Sequence, residues 1–362
     1  NGIGNYDWQN VYSPANTSFG DAIQQGVWTT AIANRDISWE KTDVVDLGLD
    51  VNLFGSLSLT FDYYNKLTHG ILYRNPIPYV NGGLGAPMIN SAKVRNRGFE
   101  FSASYNKNFG DLGFAVSVNG AYNRNEIIDY KGDYLEINGA TVWTEGQPIG
   151  KFYMREIDHI VQDKAEIDKL VSEGWTFSPS RPEPGDFLYK DLNNDKRIDD
   201  KDRVLKGQPL PLFTFGGSIA FSYKNFDLSA LFSGVAGWDR YLSTGIFSLT
   251  NADTERLFLK KFQNQWSETN RNTNIPKLYA SNEKNNQVSD YYLYDASFLR
   301  LKTLQLGYTL PKNLIPKVRI RAYCNLENYF TITSYPGMDP EMNGDVGYPI
   351  LKTVSLGVNI KF

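Results

Sequence analysis

The segment formed by residues 351–362 alternates strictly between apolar and polar side chains. Because successive side chains of a strand point to opposite faces, it predicts a strand with one apolar and one polar face. The apolar face would carry Val354, Leu356, Val358, Ile360 and Phe362. Soluble proteins blunt or cover an edge strand of this kind. A closed barrel in a bilayer pairs the edge and lets lipid cover the apolar face, so the segment predicts a membrane barrel.

The same alternation recurs in pairs of segments joined by short turns. The predicted strands are 45–53 and 57–64, 99–105 and 114–122, 213–223 and 226–232, then 299–310, 318–327 and 351–362. Long loops alternate with the short turns, as at Gly70–Ala92, which is typical of outer-membrane barrels. Residues 1–35 are predicted to be mostly loop, and residues 127–210 to hold up to two further strands.

These patterns predict an all-β fold, a transmembrane antiparallel β-barrel with long extracellular loops. Nine strands are an odd number, whereas bacterial single-chain barrels have an even number, so we expect a fragment whose missing strands lie upstream. Leu299 and Leu301 share one parity, but Leu304 and Leu306 share the other. This change of phase predicts a β-bulge near residues 302–303.

Composition excludes several classes of protein. The chain has 37 basic and 40 acidic side chains and a net charge of −3, which does not favour nucleic acid as a partner. No apolar run is long enough for a membrane-spanning helix. His69 and His159 are the only histidines, and neither lies in a recognisable nucleophile motif, so we expect the protein not to be an enzyme. The single Cys324 cannot form an internal disulfide.

Two interruptions of the strand pattern predict short helices within loops. Residues 164–174 carry apolar side chains at helical spacing, and Gly174 is a suitable stop. Residues 253–266 form the second predicted helix, with Asp253 as its cap.

The aspartate-rich loop, residues 191–203, has the spacing of a calcium-binding loop. Oxygen ligands would come from Asp191, Asn193, Asp195, the carbonyl of Arg197, Asp199 and Asp202. Two residues depart from the pattern, because Lys196 replaces the turn glycine and Asp202 replaces the bidentate glutamate. The sequence therefore predicts calcium as a cofactor, with an acidic, solvated turn as the alternative.

Candidate cargo-binding residues lie in the second long loop and on one predicted strand. The aromatic candidates are Trp238, Tyr241 and Trp266, whose alternative roles are loop packing or an interfacial aromatic girdle. The charged candidates are Arg319, Arg321 and Glu327, which share the polar face of their strand and could instead form a structural salt bridge in the lumen.

Several segments resemble parts of one family, the SusC/RagA-type TonB-dependent outer-membrane transporters. They occur in the family's order, and they are Asn34–Thr42, Asn90–Glu100, Glu145–Tyr153, Pro184–Arg203, Asp295–Pro311, Leu326–Glu341 and the C-terminal strand. No segment resembles the family's plug, its TonB motif or its early strands. The resemblance therefore covers the C-terminal part of the barrel.

This resemblance implies a 22-stranded barrel in the bacterial outer membrane, in contact with lipid. It implies partnership with a SusD-like surface lipoprotein, energy from TonB through the N-terminal region, and an oligosaccharide or oligopeptide as cargo. Phe362 would belong to the signal read by the outer-membrane assembly machinery. Two alternatives remain open at this point, an outer-membrane signalling receptor and a secreted β-rich domain that binds or hydrolyses glycans.

Overall fold

The structure is a computed structural model that describes residues 3–74, 77, 80, 84–130, 136–249, 259–279, 284–311, 313–314, 317–342 and 347–362. Within those ranges, no helix has the length and apolar character needed to cross a membrane. The described chain is mostly strand, and one sheet of nine strands dominates it.

The first half of the chain contains long strands followed by short ones. These are β1 Val11–Phe19, β2 Ala22–Ala31, β3 Lys41–Leu53, β4 Leu57–Arg74, β5 Met88–Phe109, β6 Leu112–Tyr130, β7 Glu136–Asn138, β8 Thr141–Trp143, β9 Lys151–Arg155, β10 Ile157–Ile160, the helix α1 Lys164–Ser172, β11 Thr176–Phe177 and β12 Phe187–Tyr189.

The second half contains further short strands and five long ones. These are β13 Arg197–Ile198, β14 Arg203–Lys206, β15 Phe213–Tyr223, β16 Phe226–Ala236, β17 Asp239–Tyr241, β18 Leu293–Asp295, β19 Phe298–Thr309, β20 Arg319–Thr333 and β21 Thr353–Lys361. Short 3₁₀ turns occur at Asp200–Asp202, Gly245–Phe247, Lys260–Asn264 and Asp290–Tyr292.

One antiparallel sheet contains the nine predicted strands, in the order β21-β20-β19-β16-β15-β6-β5-β4-β3. The final strand pairs with β20 in the register Leu326↔Val354, as the alternating pattern predicts. Apolar side chains of the two strands share one face, where Leu356 is 82% exposed. The opposite face is polar, so the sheet has the two-faced character of a barrel wall.

The short turns match the predicted hairpins. Phe54 and Gly55 have φ angles of 54° and 62°, and such paired positive values suit the right-handed twist of a tight hairpin. The predicted bulge is also confirmed, because the register of β19 shifts between Leu301 and Thr303 against both of its neighbours. The bulge moves the side chains of β19 from one phase of alternation to the other without breaking the sheet.

Two loop predictions are wrong. Residues 11–31, predicted to be mostly loop, form the hairpin β1–β2. Strands β4 and β5 extend to Arg74 and start at Met88, well into the predicted loop Gly70–Ala92. Apolar side chains such as Ile71 and Leu72 follow one another there, so strict alternation ends although the backbone pairing of the two strands continues. The alternating pattern is therefore lost where the strands extend beyond the apolar band, the part of the sheet that has one continuously apolar face.

The loop region comprises residues 136–210 and 237–297, as far as the structure describes them. It contains eight short strands between residues 136 and 206, more than the two predicted, and two apolar clusters. The predicted helix is confirmed as α1, because the carboxylate of Asp163 accepts from the backbone N–H of Glu166 and Gly174 follows with a φ of 89°. For the second predicted helix, residues 253–258 lie outside the described residues and Lys260–Asn264 is a 3₁₀ turn.

Candidate functional site

The polar face of the sheet contains a charged group centred on Arg321. Its Nε lies 2.9 Å from Asp227 Oδ1, its Nη2 also contacts Asp227 Oδ2, and Nη2 lies 2.8 Å from Gln305 Oε1. Gly307 stands between the partners, and a Cβ there would lie 2.5 Å from Asp227 Oδ1. Arg321 therefore fixes three strands to one another, which is the structural salt bridge left as its alternative role.

The other two charged candidates do not join Arg321 in one site. Arg319 is exposed at the beginning of β20. Glu327 lies eight residues further along the strand, about 26 Å away at the rise of an extended chain. Its carboxylate accepts from Asn325 Nδ2 at 2.8 Å. All three side chains share the polar face, as predicted, but they are distributed along the length of the wall.

Trp266 is part of the larger apolar cluster in the loop region. It is 5% exposed, and its Nε1 donates to Gln162 Oε1 at 3.1 Å. Gly185, with a φ of 95°, allows the close approach, since a Cβ there would lie 2.6 Å from the indole ring. Trp266 therefore packs inside the loop region.

Trp238 and Tyr241 are also held by neighbouring loops. The indole Nε1 of Trp238 donates to Pro209 O at 3.2 Å. Tyr241 meets Tyr292 edge to face, with ring centroids 5.8 Å apart, and burial raises the pKa of the Tyr241 hydroxyl. The three aromatic candidates belong to the packed loop region, in agreement with their alternative role.

Two arginines that the sequence analysis missed anchor the segment 335–342. The first is Arg300, whose side chain is fully buried. Its Nη2 lies 2.5 Å from Asp339 Oδ2. Its Nη1 lies 2.8 Å from Glu341 Oε2, and this contact is an ion pair whose angles do not suit a hydrogen bond. Lys302, at the bulge, also contacts Glu341 at 2.9 Å. The bulge thus directs two cations of one strand to the same loop.

The second arginine is Arg240, which lies between two aromatic rings. Its guanidinium carbon is 5.7 Å from the centroid of Trp238 and 5.4 Å from that of Tyr335. Its Nη1 donates to Pro340 O at 3.0 Å and to Met342 O at 2.5 Å. Arg240 therefore binds the backbone of segment 335–342, whereas Arg300 binds its carboxylates.

A lysine-centred ion group connects separate parts of the loop region. Lys206 Nζ lies 2.6 Å from Glu156 Oε1 and 2.8 Å from Asp290 Oδ2. Burial lowers the pKa of Lys206, but the hydrogen bonds that its ammonium donates to Asp290 and Glu156 outweigh it and raise the pKa above its ordinary value. The lysine stays charged and ties β14 to two other loop segments.

The aspartate-rich loop has part of the geometry of its predicted class. Lys196 has a φ of 60°, the conformation that the replaced glycine would favour. The carboxylate of Asp191 accepts from the backbone N–H groups of Asp195 and Lys196. Buried Asp202 accepts from those of Leu192 and Asp199.

No three His, Cys, Asp or Glu side chains form a metal-binding group within the described ranges. Calcium binding by the aspartate-rich loop stays a prediction.

Comparison with known proteins identifies the family of this two-faced sheet. Residues 5–328 match the family described as TonB dependent receptor-like, beta-barrel. The chain belongs to this family. It is 32% identical to TonB-dependent receptor P3 of Formosa agariphila over 390 aligned residues, which cover 99% of the chain and 38% of that protein.

Further relatives support the same family. The chain is 28% identical to TonB-dependent receptor SusC of Bacteroides thetaiotaomicron, over 91% of the chain and 32% of that protein. Its fold matches the structure of the RagAB peptide transporter with a TM-score of 0.78 and 29% identity, covering 98% of this chain and 39% of the other. The chain therefore spans about two fifths of the length of these relatives.

The predicted resemblance and fold class are confirmed by these matches. The chain is a stretch of TonB-dependent receptor barrel related to SusC and RagA. The family is one of receptor-like barrels rather than of enzymes. The matches leave the candidate cargo residues and calcium untested.

Proposed function

We propose that this chain forms part of the wall of a bacterial outer-membrane importer that takes up an oligosaccharide or an oligopeptide. The observation that supports this function is the nine-stranded sheet, with an exposed apolar face and a polar face crossed by the Arg321–Asp227 ion pair. An apolar face suits lipid, and a polar face with charged groups suits a water-filled lumen. Membership of the TonB-dependent receptor family supports the proposal that this wall lies in the outer membrane.

The partners follow from the longer relatives. We propose that TonB energises the whole protein and that a SusD-like lipoprotein covers its extracellular side, as the kinship with SusC and with the RagAB structures supports. The loop region would stand at the extracellular mouth. Its two apolar clusters and its arginine anchors favour loops that keep their shape while cargo passes.

Uptake by whole cells tests this proposal. The gene for the complete protein would be deleted, and accumulation of a fluorescein-labelled oligopeptide and a labelled oligosaccharide would be measured with and without active TonB. We expect the deletion and the loss of TonB to abolish accumulation of one cargo class. Unchanged accumulation of both classes, with an altered transcriptional response to either, would instead support the signalling receptor.

A further inference from the structure

A groove opens on the surface of the loop region between helix α1 and the aspartate-rich loop. Its volume is about 660 Å³, which lies within the usual range of ligand sites. Strand β10, helix α1, strand β12 and residues 190–196 supply its walls. None of the candidate cargo residues lines it, and Asp191 is the one predicted calcium ligand among its lining residues.

The floor of the groove is mainly aliphatic. It is formed by Leu170, Leu188 and Leu192 together with two aromatic residues, Trp175 and the buried Tyr189. Leu170 and Trp175 pack against the larger apolar cluster, so this part of the floor has a rigid support. Leu192 is 39% exposed although it lies in a concave surface. An exposed leucine in a supported cleft offers a place for an apolar group of a ligand.

The rim carries charges of both signs. His159 lies between two carboxylates, with Nδ1 2.8 Å from Asp158 Oδ2 and Nε2 2.5 Å from Glu166 Oε1. Burial lowers the pKa of His159, but these carboxylates outweigh it and raise that pKa above its ordinary value. Lys169 and Glu173 add one further charge of each sign on α1. Cations and anions therefore face the same cleft.

We infer that this groove binds an extended oligopeptide, and this inference rests on the import function proposed above. Leucine side chains bury apolar side chains of a peptide, and the two kinds of rim charge complement its charged side chains and termini. An oligosaccharide lacks both features. Its rings stack on aromatic faces, and the floor exposes mainly that of Trp175, because Tyr189 is only 6% exposed. The groove therefore assigns the cargo to the peptide class.

Binding by the complete protein, purified in detergent, tests the site. The probe is a fluorescein-labelled hexapeptide that alternates leucine with lysine and glutamate, and labelled maltohexaose is the neutral comparison. Leu192→Asp places a charge on the floor, whereas Leu205→Asp changes a leucine of similar exposure (37%) on β14, outside the groove. We expect Leu192→Asp to weaken peptide binding by about tenfold or more and Leu205→Asp to leave it unchanged.

Several results would overturn the site. One is equal peptide affinity of Leu192→Asp and the native protein, when heat-modifiable migration in gels shows that both are folded. Another is tighter binding of maltohexaose than of the peptide, with the same sensitivity to Leu192→Asp. A third is loss of the co-purifying lipoprotein from Leu192→Asp with peptide affinity intact, since the groove would then be a protein-docking surface.

A rim variant gives an independent check, because it leaves the floor intact. Lys169→Glu should favour peptides with a lysine end over those with a glutamate end, and no change in this preference would count against the site. Failure of the groove is distinguishable from failure of import. Peptide uptake that continues in Leu192→Asp with unchanged affinity rejects the groove alone, whereas uptake that survives deletion of the gene rejects the importer.

Discussion

Replacing Arg300 by alanine should release the segment 335–342 from the sheet. The guanidinium is fully buried and faces Asp339 and Glu341, whose side chains are 13% and 34% exposed. It also donates through Nε to Thr331 Oγ1 at 3.1 Å. Removing the cation leaves two carboxylates close together with little solvent around one of them.

The expected cost follows from the burial of the pair. Breaking a buried ion pair by removing one partner costs about 3–5 kcal/mol, and the partial exposure of Glu341 favours the lower end. A loss of about 3 kcal/mol corresponds to a local opening constant about 150-fold larger, because each 1.4 kcal/mol is a factor of ten. Backbone amides of segment 335–342 should then exchange faster by about that factor.

Hydrogen exchange of the complete protein in detergent measures this factor peptide by peptide. Lys302→Ala is the matched control, since Lys302 contacts the same Glu341 but is 33% exposed, and a partly exposed pair contributes about 1 kcal/mol or less. The double variant Arg300→Ala with Asp339→Ala should recover part of the protection. Exchange in Arg300→Ala no faster than in Lys302→Ala would refute the assignment of Arg300 as the anchor.

Four further predictions concern other parts of the chain. Gly307→Ala should lower the free energy of unfolding by about 1–3 kcal/mol, because the new methyl group displaces the Arg321 ion pair. An unchanged midpoint temperature for the change in heat-modifiable gel migration would contradict it. The raised pKa of His159 means that its stabilisation of helix α1 is fully present below pH 6.5 and is lost as pH rises through the folded pKa. Protection of α1 should therefore fall from pH 6 to pH 8 in the native protein and stay flat in His159→Gln, and equal slopes would count against this. Calcium should release heat and raise the unfolding temperature if the aspartate-rich loop binds it, and a flat titration would end that prediction. Deleting Phe362 should reduce insertion into the outer membrane, whereas normal membrane yield would argue against an assembly signal.

The nine-stranded sheet was predictable because a sheet with one apolar and one polar face imposes a simple rule on its strands. In the apolar band, every second side chain must be apolar, so Val354 to Ile360 specify both the strand and its faces. The same rule locates the bulge, since only an extra residue explains the change of parity between Leu301 and Leu304. The rule no longer applies beyond the band, which is why β1–β2 and the ends of β4 and β5 were missed.

The roles of the loop side chains could not be predicted from local sequence. Trp266 bonds Gln162, 104 residues away, and Arg240 bonds Met342, 102 residues away. Whether an aromatic ring faces cargo or a neighbouring loop depends on such distant contacts. Local sequence thus indicates residues of suitable chemistry but does not distinguish anchors from ligand-facing side chains. For Trp266, the glycine at 185 with its close approach is a feature that only the folded chain reveals.

Glycines on the polar face explain how the wall accommodates large side chains. Gly307 lies beneath the Arg321–Asp227 pair, and a Cβ on Gly357 would lie 2.5 Å from the hydroxyl of Tyr323. In both places a large polar side chain lies flat across the neighbouring strand, because the glycine opposite leaves room for it. Arg321 and Tyr323 thereby make cross-strand contacts and lie close to the sheet. In the importer proposed above, these two large side chains would leave the space in front of the sheet free for cargo.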